Sequence, residues 1–236
     1  LSHVRDEEYT TVTLVDDPAG VFAADVVLKV DPPTPAEVGL MSRGTVLIGL
    51  LQPYTATESV AALRDGGITG LALELLPRTT RAQSMDALTS QASIAGYKAG
   101  LMAASLAGRY YPMLMTPAGT LRPAKVVVLG VGVAGLQAIA MARRLGAMVE
   151  AYDVRAVTAE QVQSLGARFI DTGIDAEVEG GYARELTDEE KAKAKEIVDS
   201  HIVAADAVIT TAAVPGRPAP KLVTADVVEK MRSGAV

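Results

Sequence analysis

The chain has 236 residues, enough for one large or two modest domains that each bury a core. Its formal net charge of −6 argues against phosphate-backbone binding, which depends on clustered Lys and Arg. With no cysteine and only His3 and His201, disulfide, thiolate-metal and His-rich metal schemes are excluded.

Hydrophobic residues make up 49% of the chain, but Gly, Pro and charges interrupt them, and no apolar run reaches the roughly 18 residues of a membrane helix. The nearest candidate, VVVLGVGVAGLQAIAMA after Lys125, has glycine spacing that favours strand, turn and helix. The absence of a basic-then-apolar leader fits a cytoplasmic protein, and an opening Leu instead of Met suggests a fragment or processed chain.

In chain order, residues 10–30 alternate turn signals such as DDPAG with short β-prone runs, and ADVVLKV reads as a buried strand ending at the Pro-rich turn DPPTPAE. VLIGLLQP predicts a second strand closing at Pro53. Residues from Thr57 to Asp65 have helical spacing, and GITGLALELLP reads as a strand stopped by Pro77. From Thr79 to Arg109 a proline-free run rich in Ala, Leu, Met, Ser and Gln predicts one extended helix of about twenty to thirty residues, bridging two domains.

The loop MTPAGTLRPAK leads into strand KVVVLG, helix VAGLQAIAMARRLG, strand AMVEAYDV, a helix from Thr158 to Leu165 and strand ARFI, a full βαβαβ course. Thr187 and Glu190 form a capping box for a charged helix to about Val203. Strand DAVITTA, loop PGRPAPK and a helix from about Thr224 to Arg232 follow, and SGAV reads as the start of a further strand. The fold class is therefore α/β, with two Rossmann-like parallel-sheet domains linked by a long helix. A partial N-terminal domain is expected over residues 1–77, and a dinucleotide-binding domain with the bridging helix over 78–236.

GVGVAG places Gly130, Gly132 and Gly135 in G-x-G-x-x-G order, directly after an apolar strand and before an Ala-rich helix. Gly130 permits the tight turn, Gly132 lets the backbone approach a pyrophosphate, and Gly135 allows close packing of helix on strand. The helix start at Val133 and Ala134 adds N–H groups and the positive end of the dipole. Asp153, ending the second strand, stands where a carboxylate accepts hydrogen bonds from the adenosine ribose. It would repel a 2′-phosphate and so favour NAD(H), although neighbouring Val154 and Arg155 belong to the same segment and the cation complicates that preference. The alternatives are a turn carboxylate and a surface cation.

The runs PRTTRAQSMDALTSQASIAGYKA, GVGVAG, YDVR, EQVQSLGARF, GGYA and TTAAVPGRPAPKLVT together resemble the NAD(H)-binding domain of proton-translocating NAD(P) transhydrogenase, over nearly the whole chain beyond Asp25. Alanine dehydrogenase is the more distant relative. The resemblance implies that Arg78, Gln83, Asp86 and Thr89 surround the nicotinamide and its ribose, with Thr89 standing where the family has Ser. Gln83, Asp86 and Thr89 are spaced by three, which would keep them on one broad helix face. A capping and ion-pair cluster is the alternative.

The resemblance further implies a mobile loop carrying Tyr182 as an aromatic lid beside Gly180 and Gly181, and a nicotinamide pocket lined by Thr211, Ala212 and Ala213. It also implies NADP(H) on a partner domain, a membrane subunit, a homodimer, and a peripheral position on the cytoplasmic side of the inner membrane. The first domain would be completed by chain returning after the nucleotide domain.

Hydride transfer between two nicotinamides needs proximity, orientation and exclusion of water, with no general acid or base, and the candidate cluster holds neither His nor Lys. The rival is an alanine-dehydrogenase-like enzyme. Lys29 matches that family's substrate-binding lysine, but Gln52 replaces its catalytic histidine, and Lys29 then reads as a strand-end cation. A non-catalytic, NAD(H)-sensing fragment is the third reading.

Overall fold

The computed structural model describes residues 4–77, 79–174, 187–213 and 218–236, together with the backbone of 177–178 and 182–183. The chain divides into two compact units, Leu1–Leu88 and Thr89–Val236, whereas the sequence pattern places the division after Pro77.

In the first unit, strands β1 (Val26–Lys29), β2 (Val46–Gly49) and β3 (Thr69–Ala72) form a parallel sheet in that order, alternating with helices α1 (Pro18–Phe22), α2 (Pro35–Val38) and α3 (Thr57–Gly66). Phe22, Val27, Val38, Leu47, Leu51, Leu63 and Ile68 make its core. Two stretches read as turns are short helices. Asp17 caps α1 with Pro18 at its first turn, and Thr34 and Glu37 form a capping box around α2 with Pro35 behind the cap. Proline suits the first helical position because no donor is needed there. The expected strand through Leu76 stops at Ala72 and becomes a 3₁₀ turn over Leu73–Leu75.

The expected extended helix is shorter. Thr80–Met85 form a 3₁₀ helix, and α4 runs only over Ala87–Leu106. Asp86, between them, has φ −74° and ψ 83°, outside the helical region. Asp is favoured just before a first helical turn and disfavoured within a helix, so the absence of proline did not keep the run continuous.

The second unit is built on a parallel sheet of β6 (Lys125–Leu129), β7 (Met148–Tyr152), β8 (Arg168–Phe169) and β11 (Ala207–Thr210), in the order β11-β6-β7-β8. Helices α5 (Val133–Arg144), α6 (Thr158–Ser164), α7 (Asp188–Val203) and α8 (Ala225–Lys230) complete its regular connections. β6 lies at the centre, with Val126 to Leu129 fully buried, so its apolar run serves the cores on both faces of the sheet. Val236 adds two backbone hydrogen bonds beside β11, donating to Asp206 O and accepting from Val208 N.

The segment read as the loop MTPAGTLRPAK contains a hairpin, β4 (Leu114–Thr116) with β5 (Gly119–Leu121), turned at Gly119 with φ +131°. Backbone strands β9 (Glu177–Val178) and β10 (Tyr182–Ala183) pair antiparallel.

Helix α4 packs tightly on α5. A Cβ on Gly96 would approach the Ala134 carbonyl oxygen to 2.0 Å, and one on Gly100 the Met141 Cβ to 2.8 Å. These small residues let two helix backbones come together. The same face therefore cannot tolerate the larger side chains that its helical propensity alone would allow.

Candidate functional site

At the carboxyl edge of the second sheet, the chain order reverses between β6 and its neighbours β7 and β11, where ligands of open α/β sheets bind. A cleft of about 300 Å³ opens there, lined by Gly130, Gly132, Asp153, Arg155 and the run Thr211–Ala213. Val154 lines it as well, together with Tyr152, Pro220 and Leu222.

The glycine turn explains the cleft's floor. Gly130 has φ +93°, and its N–H donates to Tyr152 O at 2.8 Å, so β6 ends by bending towards β7. Gly132 precedes α5 as its N-cap, and a Cβ there would meet no atom within 4 Å. The backbone is thus bare on the side where a pyrophosphate would approach. Gly135 is buried against the turn with no room for a side chain. Val133, Ala134 and Gly135 do not line the cleft, so what they offer it is the unpaired first-turn backbone of a helix and its dipole. Val133 lines a different groove, with Ser93, Gln137 and Gln161.

Asp153 is the cleft's part-buried carboxylate. Its Oδ2 accepts from the Val131 N–H at 2.8 Å and Arg155 Nη2 at 3.1 Å, while Oδ1 accepts from Arg155 N at 3.0 Å and Arg155 Nε at 2.9 Å. Burial opposes its ionisation, but the Arg155 guanidinium and the two backbone donors outweigh that and hold its pKa below the ordinary carboxylate range. Tyr152 is pushed upward, first by burial and then by the adjacent Asp153 charge. On the other wall, the Thr211 hydroxyl donates to Gly130 O at 2.8 Å, fastening the end of β11 to the glycine turn.

The residues at 78–89 are distributed differently from their expected single helix face. Arg78 lies outside the described residues. Gln83 sits in the 3₁₀ helix, Asp86 at its end and Thr89 in the first turn of α4, so the spacing of three does not place them on one α-helical face. Gly180 and Gly181 are outside the described residues, and Tyr182 is described only as backbone in β10.

In the first unit, Lys29 Nζ pairs with Glu37 at 3.3 Å. Gln52 has φ +46°, uncommon for a residue with a side chain. Its N–H and that of Leu51 both donate to the Glu74 carboxylate, which fixes this sharp turn after β2.

Among the described residues no group of three or more His, Asp or Glu side chains could hold a metal, and no helix is long and apolar enough to cross a membrane. His201 is engaged with Glu150 at 2.6 Å, away from the cleft residues. Sequence reasoning missed Tyr152, Pro220 and Leu222 as cleft walls, although YDVR and PGRPAPKLVT contain all three. Their side chains carry no chemistry that a spacing argument detects.

Residues 1–95 match the alanine dehydrogenase/PNT N-terminal domain, and residues 99–236 the alanine dehydrogenase/PNT C-terminal domain. The chain is 50% identical over 222 residues to an NAD(P) transhydrogenase alpha-subunit polypeptide of Rhodospirillum rubrum, covering 90% of this chain and 58% of the relative. It therefore spans less than two thirds of that relative's length. A solved transhydrogenase from Sinorhizobium meliloti superposes with a TM-score of 0.82 at 49% identity, covering 92% of this chain and 59% of that one. A solved L-alanine dehydrogenase gives 0.73 at 28% identity, over 98% of this chain and 60% of the other.

Proposed function

The chain belongs to the alanine dehydrogenase/PNT family, and from that premise we propose that it is the NAD(H)-binding component of a proton-translocating transhydrogenase. The observation that carries the proposal is the cleft of about 300 Å³ at the β6–β7–β11 edge, lined by a bare glycine turn and by Asp153, which is hydrogen-bonded to that turn through Val131 N–H. The bare side of Gly132 and the start of α5 fit a pyrophosphate, and Asp153 fits a ribose diol.

NADH held in this cleft would supply a hydride to a nicotinamide on a partner NADP(H) domain. The chain's own residues bind, orient and shield. Gly132 and the first turn of α5 would hold phosphate and Thr211 to Ala213 wall the cleft, while the family resemblance assigns the nicotinamide surroundings to Arg78, Gln83, Asp86, Thr89 and Tyr182. None of these has to move a proton, which suits direct transfer. The partner domain, a membrane subunit, a homodimer and a place on the cytoplasmic side of the inner membrane belong to the same proposal.

The alanine-dehydrogenase reading is weakened by two features of the first unit. Lys29 is engaged in an ion pair with Glu37, and Gln52 cannot act as a general base.

The test is reconstitution. The full subunit mixed with a partner NADP(H)-binding component should reduce an NADP analogue with NADH, followed by absorbance, and should show no alanine-dependent reduction of NAD⁺. NADH binding without transfer would support the sensing reading instead.

A further inference from the structure

A carboxylate at the end of the second strand is expected to exclude a 2′-phosphate by its charge, but the charge of Asp153 is already compensated. About four lone-pair positions are available on a carboxylate. Asp153 fills four hydrogen bonds, three from Arg155 and one from Val131. A ribose diol arriving at Asp153 therefore competes with the Arg155 side chain for acceptor positions.

That side chain is 39% exposed, against 9% for Asp153, and it lines the cleft. The cleft also adjoins a groove of about 340 Å³ that shares Tyr152, Val154, Pro220 and Leu222 with it and adds Lys191, Lys195 and Lys221. Lys195 is paired with Asp199, and Lys191 has Asp188 at 3.7 Å. The groove beside the cleft therefore holds three cations, two of them already paired with carboxylates.

We propose that Arg155 is the specificity-determining residue of the cleft, a latent 2′-phosphate ligand restrained by Asp153, so that freeing its guanidinium from Asp153 shifts selection from NADH towards NADPH. The proposal rests on the dinucleotide reading of the cleft. Asp153 selects by retaining the guanidinium a 2′-phosphate would need, as well as by repulsion.

Substitution by asparagine makes the mechanism visible. The Asn carbonyl can still accept from Val131 N–H, while its amide would turn a donor towards a donor guanidinium and release it.

NADH and NADPH are titrated by fluorescence into the full subunit, with melting curves for each variant. In Asp153→Asn, NADH should bind at least about tenfold more weakly and NADPH about tenfold more tightly, the order of one partly screened charge contact. In Asp153→Asn combined with Arg155→Met the gain for NADPH should vanish. Arg155→Met alone, which does not depend on the Asn variant folding, should raise the NADH-to-NADPH affinity ratio about tenfold by leaving Asp153 uncompensated.

A gain for NADPH that survives loss of Arg155, or an unchanged ratio in Arg155→Met, overturns the proposal. Failure of the unsubstituted subunit to bind either nucleotide overturns the dinucleotide reading itself.

Discussion

Gly135 stands so close to Gly130 that a Cβ on it would approach the Gly130 carbonyl oxygen to 1.9 Å. Neither atom can yield without moving α5 or the turn. Gly135→Ala should cost about 1–3 kcal/mol in a urea unfolding curve, the range for overpacking, and weaken NADH binding in the same variant. An unchanged midpoint with unchanged binding would mean that the turn relaxes freely.

Gly96 makes the same prediction for the helix pair. Its missing Cβ leaves room for the Ala134 carbonyl, which a Cβ would approach to 2.0 Å. Gly96→Ala should gain helix propensity on α4 and still lose net stability, because backbone cannot rotate out of the way as a side chain can. The melting temperature should fall by several degrees.

Asp206 holds the amino-terminal edge of the second sheet. Buried, it accepts from Lys125 N at 2.8 Å, Arg109 Nη1 at 3.2 Å and Arg232 Nη1 at 3.3 Å. It also lies near Tyr111, whose pKa is pushed up to about 12, first by burial and then by the Asp206 charge. Asp206→Ala leaves the Lys125 N–H unpaired and should cost about 2 kcal/mol by chemical denaturation. The Tyr111 phenol should also titrate lower in the variant, measured by ultraviolet difference absorbance.

Glu150 makes stability depend on acid. Burial opposes its ionisation, yet hydrogen bonds from Lys125 and His201 with their charges prevail and hold its folded pKa below the ordinary 4.5. A depressed carboxylate pKa contributes stability that is complete above the unfolded value and is lost as pH falls through the folded one. Glu150→Gln should therefore melt below the parent at pH 6 to 7, and the gap should narrow below about pH 4.5. A gap constant to pH 3 would show that packing, not charge, sets the difference.

Much of the second unit was legible because its signals are local. The apolar run into GVGVAG, the acidic end of AMVEAYDV and the Thr187–Glu190 capping box each occupy a few residues, and β6, β7 and α7 form where those signals stand. The short helices at Pro18 and Pro35 were hidden because proline marks a turn and a helix start alike. Their N-cap residues, Asp17 and Thr34, were the available discriminators. The break at Asp86 was hidden because composition cannot distinguish a 3₁₀ turn from the α-helix that follows. The Asp153–Arg155 pair was legible as proximity only. That Arg155 saturates its neighbour depends on how the chain bends after β7.

The Thr211 hydroxyl, donating to Gly130 O at 2.8 Å, closes a ring of bonds across the ends of β6 and β11. A seat tied in this way loses little further freedom when a ligand settles, so less of the contact energy is spent on ordering the protein. Thr211→Val keeps the shape and removes that tie. Its consequence should be entropic, with NADH affinity falling mainly through a less favourable binding entropy in calorimetry.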